Sequence, residues 1–175
     1  LPENQIEFWK NLCKKHNFYI AHTIVVGGSA RFFSVKNGLQ FADTELIAIH
    51  DGVRPLVSLQ TVEKCFADAM QYGAAIPVVE VMESVRFVEN AENKSVERKN
   101  YRLVQTPQIF RSEIIQNAYN QNFKEEFTDD ASVAESAGHK IHLTEGNPEN
   151  IKITRSIDLK IAEALLVNNA NRVSG

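Results

Sequence analysis

The chain has 175 residues, of which 43% are hydrophobic and 23% are charged, and its formal net charge is -3. This balance is typical of a globular protein, and a weakly acidic chain does not indicate a nucleic-acid surface. No apolar run approaches the ~20 residues that span a bilayer, and the first residues do not resemble a signal peptide, so we expect no membrane partner. Cys13 and Cys65 match no metal or redox spacing, which favours free thiols in the cytoplasm.

Stretches with helical periodicity alternate along the chain with short β-branched or continuous apolar runs. This alternation predicts an α/β fold with a mostly parallel sheet. The predicted helices cover 3–16, the stretch that ends near 38, 58–72, 111–121, 128–138 and 156–167. The predicted strands cover 22–26, 45–51, 74–79, 101–107, 140–146 and 151–154. Ser58 and Thr128 are the predicted N-caps of two helices, which we expect to end at Gly73 and Gly138.

The segment 79–103 interrupts this alternation and predicts a protruding β-arm. Apolar and polar residues alternate up to a polar turn near 90–94, which is the pattern of a hairpin with an exposed face. Val81, Val85 and Phe87 have no evident cover within the chain. Because an uncovered apolar edge usually finds a partner, we predict that the arm pairs with a second subunit.

Asp51, Gly52 and Arg54 come at the end of the predicted strand over 45–51 and are the first candidates for chemistry. Ligands of open α/β sheets bind at the carboxyl ends of the strands. A carboxylate there can hold a metal ion, an Arg can form two hydrogen bonds to a phosphate, and a Gly lets the backbone approach a ligand. An Asp that caps a turn and an Arg that reaches the surface explain the same pattern equally well.

Other positions carry weaker signals. The stretch 27–29, Gly-Gly-Ser, precedes a predicted helix, where backbone N–H groups can bind an anion, although a tight turn is the commoner role of such a pair. Thr106 lies in what reads as a plain strand-to-helix turn, and the acids at 129–130 are typical of a helix start. Lys152 points to the opposite face from the isoleucines beside it, and that face is either solvent or a site. Arg98 is one of several charges on the arm, where a solvated charge is the ordinary interpretation.

The stretches IHDGVRPLVS, QTPQIF, TDDAS and EGNPENIKIT, in this order and at these spacings, resemble the 2-C-methyl-D-erythritol 4-phosphate cytidylyltransferase family. The resemblance extends from VVGGSARFFSV to the last predicted helix. It implies a Rossmann-like α/β domain with a mostly parallel sheet, helices on both faces and a β-arm through which two subunits form a homodimer. It also implies transfer of CMP from CTP to a polyol phosphate, 2-C-methyl-D-erythritol 4-phosphate, in isoprenoid precursor biosynthesis, with Mg²⁺ as the cofactor and pyrophosphate as the second product.

The resemblance also implies roles for individual residues. Asp51 corresponds to an acid near the metal and both substrates, and Lys152 to a basic residue near the phosphates. Arg98 corresponds to an arm residue that reaches the site of the neighbouring subunit. The residues implied in substrate binding are Gly28, Ser29, Ser34, Gly52, Arg54, Ser84, Thr106 and Thr128. Such a set suits a reaction that depends on positioning and charge neutralisation and needs no covalent intermediate.

The chain departs from the family pattern in several places. Gly52 stands where Ala is usual, Ser84 where Thr is usual, and Ser29 where an acid can occur. The family also begins with a strand and a Gly-rich loop with basic residues, which has no counterpart here. We therefore expect a single domain over 1–175 that is N-terminally incomplete and inactive by itself. Two alternatives stay open: a ribitol-5-phosphate cytidylyltransferase, and a non-catalytic dimeric nucleotide-binding remnant.

Overall fold

The computed structural model describes residues 1–173, with side chains as far as Val167. The chain forms two compact units: one consists of Leu1–Ile47 and Arg111–Lys140, the other of Ala48–Phe110 and the chain from Ile141 onward. The α-helices are α1 (Ile6–Lys15), α2 (Arg31–Leu39), α3 (Leu59–Tyr72), α4 (Ser112–Ala118), α5 (Asp130–Ser136) and α6 (Ser156–Val173). The strands are β1 (Leu46–Ile49), β2 (Ala74–Glu80), β3 (Arg86–Glu89), β4 (Glu92–Ser95), β5 (Arg102–Val104), β6 (Gln108–Arg111) and β7 (His142–Glu145). Within residues 1–173, none of the helices combines the length and the apolar character that a membrane crossing requires.

The main sheet has five strands, connected in the order β1-β6-β2-β5, with β7 also paired to β2. Strands β6 and β5 pair in succession with the two ends of one edge of β2, and β7 pairs with its other edge. The α/β class predicted from the sequence is confirmed. The sheet itself is mixed, because β2 runs antiparallel to β5 and β6 and parallel to β7. The prediction of a mostly parallel sheet is therefore wrong for this central strand. After β2 the chain turns back through the arm and re-enters the sheet beside the strand it left, which fixes the antiparallel direction.

Helix α3 packs on β2 and β7 and forms the core of the second unit. Its N-cap is Ser58, whose Oγ accepts a hydrogen bond from the Thr61 N–H at 3.0 Å, and it ends at Gly73 with φ of 91°. Both ends are as predicted, since an N-cap hydroxyl satisfies a backbone donor and Gly tolerates positive φ. Cys65 on the buried face of α3 has no exposed surface. Both Cys13 and Cys65 are free thiols on helices.

Aromatic rings make up the core of the first unit. The Phe32 ring of α2 stacks on Tyr119, with 4.7 Å between the ring centroids, and on Phe127, with 5.7 Å. Helix α5 begins one residue later than predicted, because its N-cap is Asp129 rather than Thr128. The Asp129 carboxylate accepts from the Ser132 N–H at 2.9 Å, and the Asp129 N–H donates to the Ser132 hydroxyl at 3.2 Å, which completes a capping box.

Two predicted strands, 22–26 and 151–154, do not form. In the first, the Val25 carbonyl accepts from the Leu1 amino group and the Val26 carbonyl accepts from the Asn37 amide side chain, so no ladder develops. In the second, the Ile153 N–H donates to the Val53 carbonyl at 2.9 Å, a single bond that anchors a loop. Apolar β-branched runs favour extended backbone, but a strand exists only where a second segment supplies a register of partners.

The predicted hairpin of the arm is confirmed as the pair β3 and β4, in the register Arg86 opposite Ser95 and Glu89 opposite Glu92. Asn90 and Ala91 connect them with φ of 47° and 67°, the signs that a tight two-residue hairpin turn requires. All eight strand residues are exposed. The hairpin therefore has no packed face of its own within the part of the chain that the structure describes.

Candidate functional site

The candidate site of the second unit is built on the loop that follows β1. The chain turns directly after the strand, with the Arg54 N–H donating to the Asp51 carbonyl at 3.0 Å. A Cβ atom added at Gly52 would meet nothing within 4 Å, so this face of the turn is open. The loop thus presents the Asp51 carboxylate and the Arg54 guanidinium from one short turn, as the sequence predicts.

The Asp51 carboxylate lies between two cations. Its Oδ2 is 3.1 Å from Lys152 Nζ and 3.5 Å from Arg54 Nε. The Asp51 side chain is 14% exposed, whereas that of Lys152 is 48% exposed. A charge pair with one buried and one exposed member leaves the ammonium group accessible to an anion while the carboxylate fixes its position.

The Arg54 guanidinium is anchored to main-chain carbonyl groups. Nη1 donates to the Asn150 carbonyl at 2.8 Å and Nη2 to the Val104 carbonyl at 3.3 Å. Its side chain is 12% exposed. In this structure Arg54 joins the loop after β1 to the end of β5 and to the loop before Lys152, and its predicted phosphate contact stays a prediction.

Thr106 lies at the break between β5 and β6, a buried position where Pro107 follows through a cis peptide bond. Its Oγ1 accepts a hydrogen bond from the Asp51 N–H at 3.0 Å and lies 2.9 Å from His50 Nδ1. The stretch that reads as a strand-to-helix turn is in fact a strand, β6, separated from β5 by this break. The break directs the threonine hydroxyl at the loop after β1.

Buried amides hold the loop before Lys152. Asn150, which has no exposed surface, donates through Nδ2 to the Thr106 carbonyl at 2.8 Å. Gln105 Nε2 donates to the Asn147 carbonyl at 2.9 Å, and the Asn147 side chain accepts from the Ser58 N–H at 3.0 Å. The Asn150 Oδ1 atom is buried without a hydrogen-bond partner within the described residues. These amides bring Lys152 to Asp51, although the two residues lie far apart in the sequence.

The arm carries the other two predicted site residues of the second unit. Ser84 is exposed in the segment between β2 and β3, and Arg98 is exposed in the short 3-10 turn Arg98–Asn100. Arg98 Nη1 donates to the Met82 carbonyl, so the guanidinium lies beside the segment that contains Ser84. The structure thus links Arg98 to the segment that contains Ser84.

The remaining predicted residues lie in the first unit. The Gly28 N–H donates to Ser34 Oγ at 3.0 Å, so the Gly pair and the first turn of α2 are linked. A Cβ atom at Gly28 would lie 2.3 Å from the Phe33 Cβ, which explains why this position is Gly. Ser29 and Thr128 are exposed. The hydroxyl of Ser29 is therefore accessible beside a loop with fixed geometry.

A half-buried ion pair in the first unit was missed by the sequence interpretation, which treated Asp130 only as an acid at a helix start. Arg31 donates from Nη1 and Nη2 to the two carboxylate oxygens of Asp130, at 2.8 and 2.6 Å, and the Asp130 side chain has no exposed surface. The Tyr119 hydroxyl donates to the same carboxylate at 2.6 Å. Burial and then the negative charge of Asp130 raise the pKa of Tyr119, so this hydroxyl is a neutral donor. The pair connects the residue after the Gly28–Ala30 loop to the start of α5.

His50, Gln105 and Asn150 are the residues of the second unit that the sequence interpretation did not assign to the site. His50 and Gln105 lie directly beside predicted residues in the quoted stretches, and Asn150 lies two positions before Lys152. The available signal for Gln105 and Asn150 was a polar side chain next to an apolar residue, which demands a hydrogen-bond partner when the segment is buried. His50 is exposed and offered no such signal. Their partners could not be named from the sequence.

The loop after β1, the Thr106 break and the Lys152 loop together form a site with one carboxylate, one accessible ammonium group and a rigid polar base. Such a site can bind an anionic group and stabilise charge on phosphate oxygens. It carries no serine or cysteine nucleophile among the residues described above. These features suit a reaction in which a group is transferred through its phosphorus atom from one phosphate oxygen to another.

The comparisons with known proteins identify the family. The model of the family described as 2-C-methyl-D-erythritol 4-phosphate cytidylyltransferase matches residues 2–168. A Bacteroides thetaiotaomicron protein of that name is 50% identical over 167 residues, which cover 95% of this chain and 76% of the relative. The crystal structure of the protein of that name from Thermus thermophilus is 31% identical with a TM-score of 0.73, covering 85% of this chain and 78% of that one. The crystal structure of 4-diphosphocytidyl-2C-methyl-D-erythritolsynthase from Anaerococcus prevotii is 27% identical with a TM-score of 0.82, covering 94% and 78%. This chain therefore belongs to the 2-C-methyl-D-erythritol 4-phosphate cytidylyltransferase family.

Proposed function

We propose that this protein transfers CMP from CTP to 2-C-methyl-D-erythritol 4-phosphate and releases pyrophosphate, a step of isoprenoid precursor biosynthesis. The observation that carries the proposal is the pairing of Lys152 with Asp51 on a buried polar base, in a chain half identical to a relative of that name. A phosphate oxygen of the acceptor attacks the α-phosphorus of CTP, a new P–O bond forms, and the bond to the pyrophosphate breaks. The electron pair of that bond leaves with the pyrophosphate.

Lys152 is the residue best suited to neutralise phosphate charge in the second unit. Its ammonium group is about half exposed, and the Asp51 carboxylate at 3.1 Å keeps it directed at the loop after β1. Lys152 would bind the acceptor phosphate and bring its attacking oxygen into position. Removal of solvent from this pocket by bound substrates would strengthen each of these interactions.

A divalent metal fits the site if one carboxylate and the substrate phosphates bind it. Among the residues that the structure describes, no group of three or more His, Cys, Asp or Glu side chains is arranged to hold a metal ion. Mg²⁺ is commonly bound through one or two carboxylates and substrate phosphates, with water filling the remaining positions. Asp51 would be the protein ligand, and the ion would neutralise phosphate charge.

For the first unit we propose contacts with the cytidine part of CTP. The turn from Gly27 to Ala30 and the Ser34 hydroxyl form a polar rim whose geometry the Gly28–Ser34 hydrogen bond fixes. Ser29 and Thr128 are exposed and can form hydrogen bonds with polar groups of the nucleoside. Arg98 and Ser84 on the arm are proposed to contact the acceptor phosphate in the site of a second subunit.

The test is pyrophosphate release with CTP and Mg²⁺ by the full-length protein, and residues 1–175 alone, which we expect to be inactive, are the comparison. We expect turnover with 2-C-methyl-D-erythritol 4-phosphate and at least ~10-fold lower kcat/KM with ribitol 5-phosphate and with erythritol 4-phosphate, which lacks the methyl group. Faster turnover with ribitol 5-phosphate would replace the proposed acceptor. Binding of CTP without release of its pyrophosphate in the presence of any of the three acceptors would contradict the transferase proposal.

A further inference from the structure

We propose that His50 is a positioning residue, which sets the loop carrying Asp51 and Arg54 through the hydroxyl of Thr106. This inference rests on the proposed function, because it assigns a task within the same site. It also adds to the interpretation of Thr106, whose hydroxyl supports the loop in addition to its expected contact with the substrate.

The imidazole ring of His50 bridges the two ends of the loop. Nε2 is 3.0 Å from the Arg54 carbonyl oxygen, and Nδ1 is 2.9 Å from Thr106 Oγ1. Arg54 is also tied by its own N–H to the Asp51 carbonyl at 3.0 Å. The loop is therefore held by two sets of contacts: those of the His50 ring with Arg54 and Thr106, and the backbone hydrogen bond from the Arg54 N–H to the Asp51 carbonyl.

The direction of each hydrogen bond follows from the chemistry of the partners. A carbonyl oxygen can only accept, so Nε2 carries the hydrogen and donates to Arg54. When the ring is neutral, Nδ1 of that tautomer accepts, and the Thr106 hydroxyl donates to it. A lone pair of the same hydroxyl oxygen then accepts the Asp51 N–H at 3.0 Å. One chain of hydrogen bonds thus runs from the Asp51 backbone through Thr106 and His50 to the Arg54 backbone.

This arrangement occupies the donor of the Thr106 hydroxyl. Thr106 as a whole is 5% exposed and lies behind the loop. A hydroxyl that donates to one ring and accepts from one amide keeps one lone pair, with which it can still accept a hydrogen bond from a substrate hydroxyl. Through the hydrogen bond from the Asp51 N–H, Thr106 also sets the position of the loop.

The consequence concerns the Asp51 carboxylate, which lies 3.1 Å from Lys152 Nζ and 3.5 Å from Arg54 Nε. A loop that shifts by about 1 Å displaces the carboxylate from both cations, and a misplacement of that size can cost about 100-fold in rate. Loss of His50 leaves all the charged groups present but no longer aligned.

The kinetic test compares His50→Ala, Thr106→Val, the double variant and Thr106→Ser. We expect each of the first two to lower kcat by ~10- to 100-fold with KM for both substrates changed less than ~3-fold. The double variant should be no more than ~3-fold slower than the slower single variant, because the two residues act as one unit. Thr106→Ser retains the hydroxyl and should restore most of the activity. His16→Gln, on the exposed end of α1, is the control and should match the unaltered protein.

A second measurement decides the proposal without activity. In the full chain labelled with ¹⁵N, His50→Ala should accelerate hydrogen exchange of the Asp51 amide by at least ~10-fold after correction for the intrinsic rate, which depends on the preceding residue. The His50 side chain does not itself bond to that N–H, which donates to Thr106. Thr106→Ser should leave the amide protected. The ¹⁵N shifts of the ring should show the Nε2–H tautomer. If His50→Ala leaves that exchange unchanged, if the two variants multiply independently, or if they raise KM alone, the proposal is wrong. Absence of turnover in the unaltered protein would overturn the proposed function, while the exchange data would still decide the role of His50.

Discussion

Asp51 is the residue whose negative charge positions the cations of the candidate site, because two of them lie within 3.5 Å of its Oδ2. We predict that Asp51→Asn keeps the fold and lowers kcat at least ~100-fold, since an isosteric amide no longer directs Lys152 or balances its charge. Pyrophosphate release and far-UV circular dichroism measure the two effects. Asp43→Asn, at an exposed acid in the first unit, is the matched control. Turnover near that of the unaltered protein at saturating Mg²⁺ would remove Asp51 from the site.

Two glycines of the predicted site should respond oppositely to the same substitution. At Gly28 a Cβ would lie 2.3 Å from the Phe33 Cβ, whereas at Gly52 it would meet open space. We expect Gly28→Ala to destabilise the protein by ~1–3 kcal/mol, because α2 or the loop must shift. Gly52→Ala should be neutral or stabilising by up to ~1 kcal/mol, because it restricts the unfolded chain. Urea unfolding of both variants checks the contrast, and equal midpoints would contradict it.

The reactivity of the Cys65 thiol is a test of how well helix α3 stays packed. Desolvation, with a smaller contribution from the charge of Asp68, raises the pKa of Cys65 from 9.0 to about 11. A raised pKa means that the folded state favours the neutral thiol, so the contribution to stability is complete below pH 9 and is lost as the pH rises through about 11. At about pH 8 we expect iodoacetamide to modify Cys13, which is partly exposed, and to leave Cys65 unmodified until urea unfolds the chain. Equal labelling of both by mass spectrometry would show that α3 opens readily.

At the scale of elements, the helices follow from local sequence and the strands from pairing. The Ser58 cap and the Gly73 end of α3 were predictable because both satisfy backbone groups a few residues away. The cap of α5 was predicted one residue early, at Thr128, because Thr and Asp are both good caps and the capping box with Ser132 decides between them. The strand predicted over 22–26 rested on residue composition alone, and it does not form because no second segment supplies a ladder of backbone hydrogen bonds.

The N-cap of α3 offers a test at this scale. Ser58→Ala should lower the free energy of unfolding by ~1 kcal/mol, because it removes the acceptor of the Thr61 N–H, and Ser58→Asp should restore it. Gln60→Ala, an exposed neighbour on the same helix, is the control and should not destabilise. Thermal and urea unfolding measure the difference. A Ser58→Ala variant as stable as the Gln60→Ala variant would show that the cap contributes nothing.

At the scale of the whole molecule, the arm exposes apolar side chains that a second subunit could cover. Phe87 and Val88 of β3 are 46% and 67% exposed, and Met82 before it is 70% exposed. The predicted homodimer stays a prediction. We expect a dimer by light scattering at micromolar concentration, because a two-stranded hairpin without a packed face is marginal by itself. Phe87→Glu should shift the mass towards the monomer, and Leu59→Glu, at an exposed apolar residue of α3, should leave it unchanged. A monomer for the unaltered protein would contradict the proposal.

The sequence by itself determined the helices, the hairpin of the arm and the polar residues that follow β1, and its motifs predicted the family and transferase class that the comparisons confirm. These depend on periodicity, caps and motifs that act over a few residues. It also named Asp51, Arg54, Thr106 and Lys152, which the second unit brings together. The direction of the strands, the anchoring of Arg54 by the Asn150 carbonyl and the Arg31–Asp130 pair were decided only by the tertiary structure. Their partners lie 96 and 99 positions apart, and a buried polar group accepts whichever partner the fold places beside it.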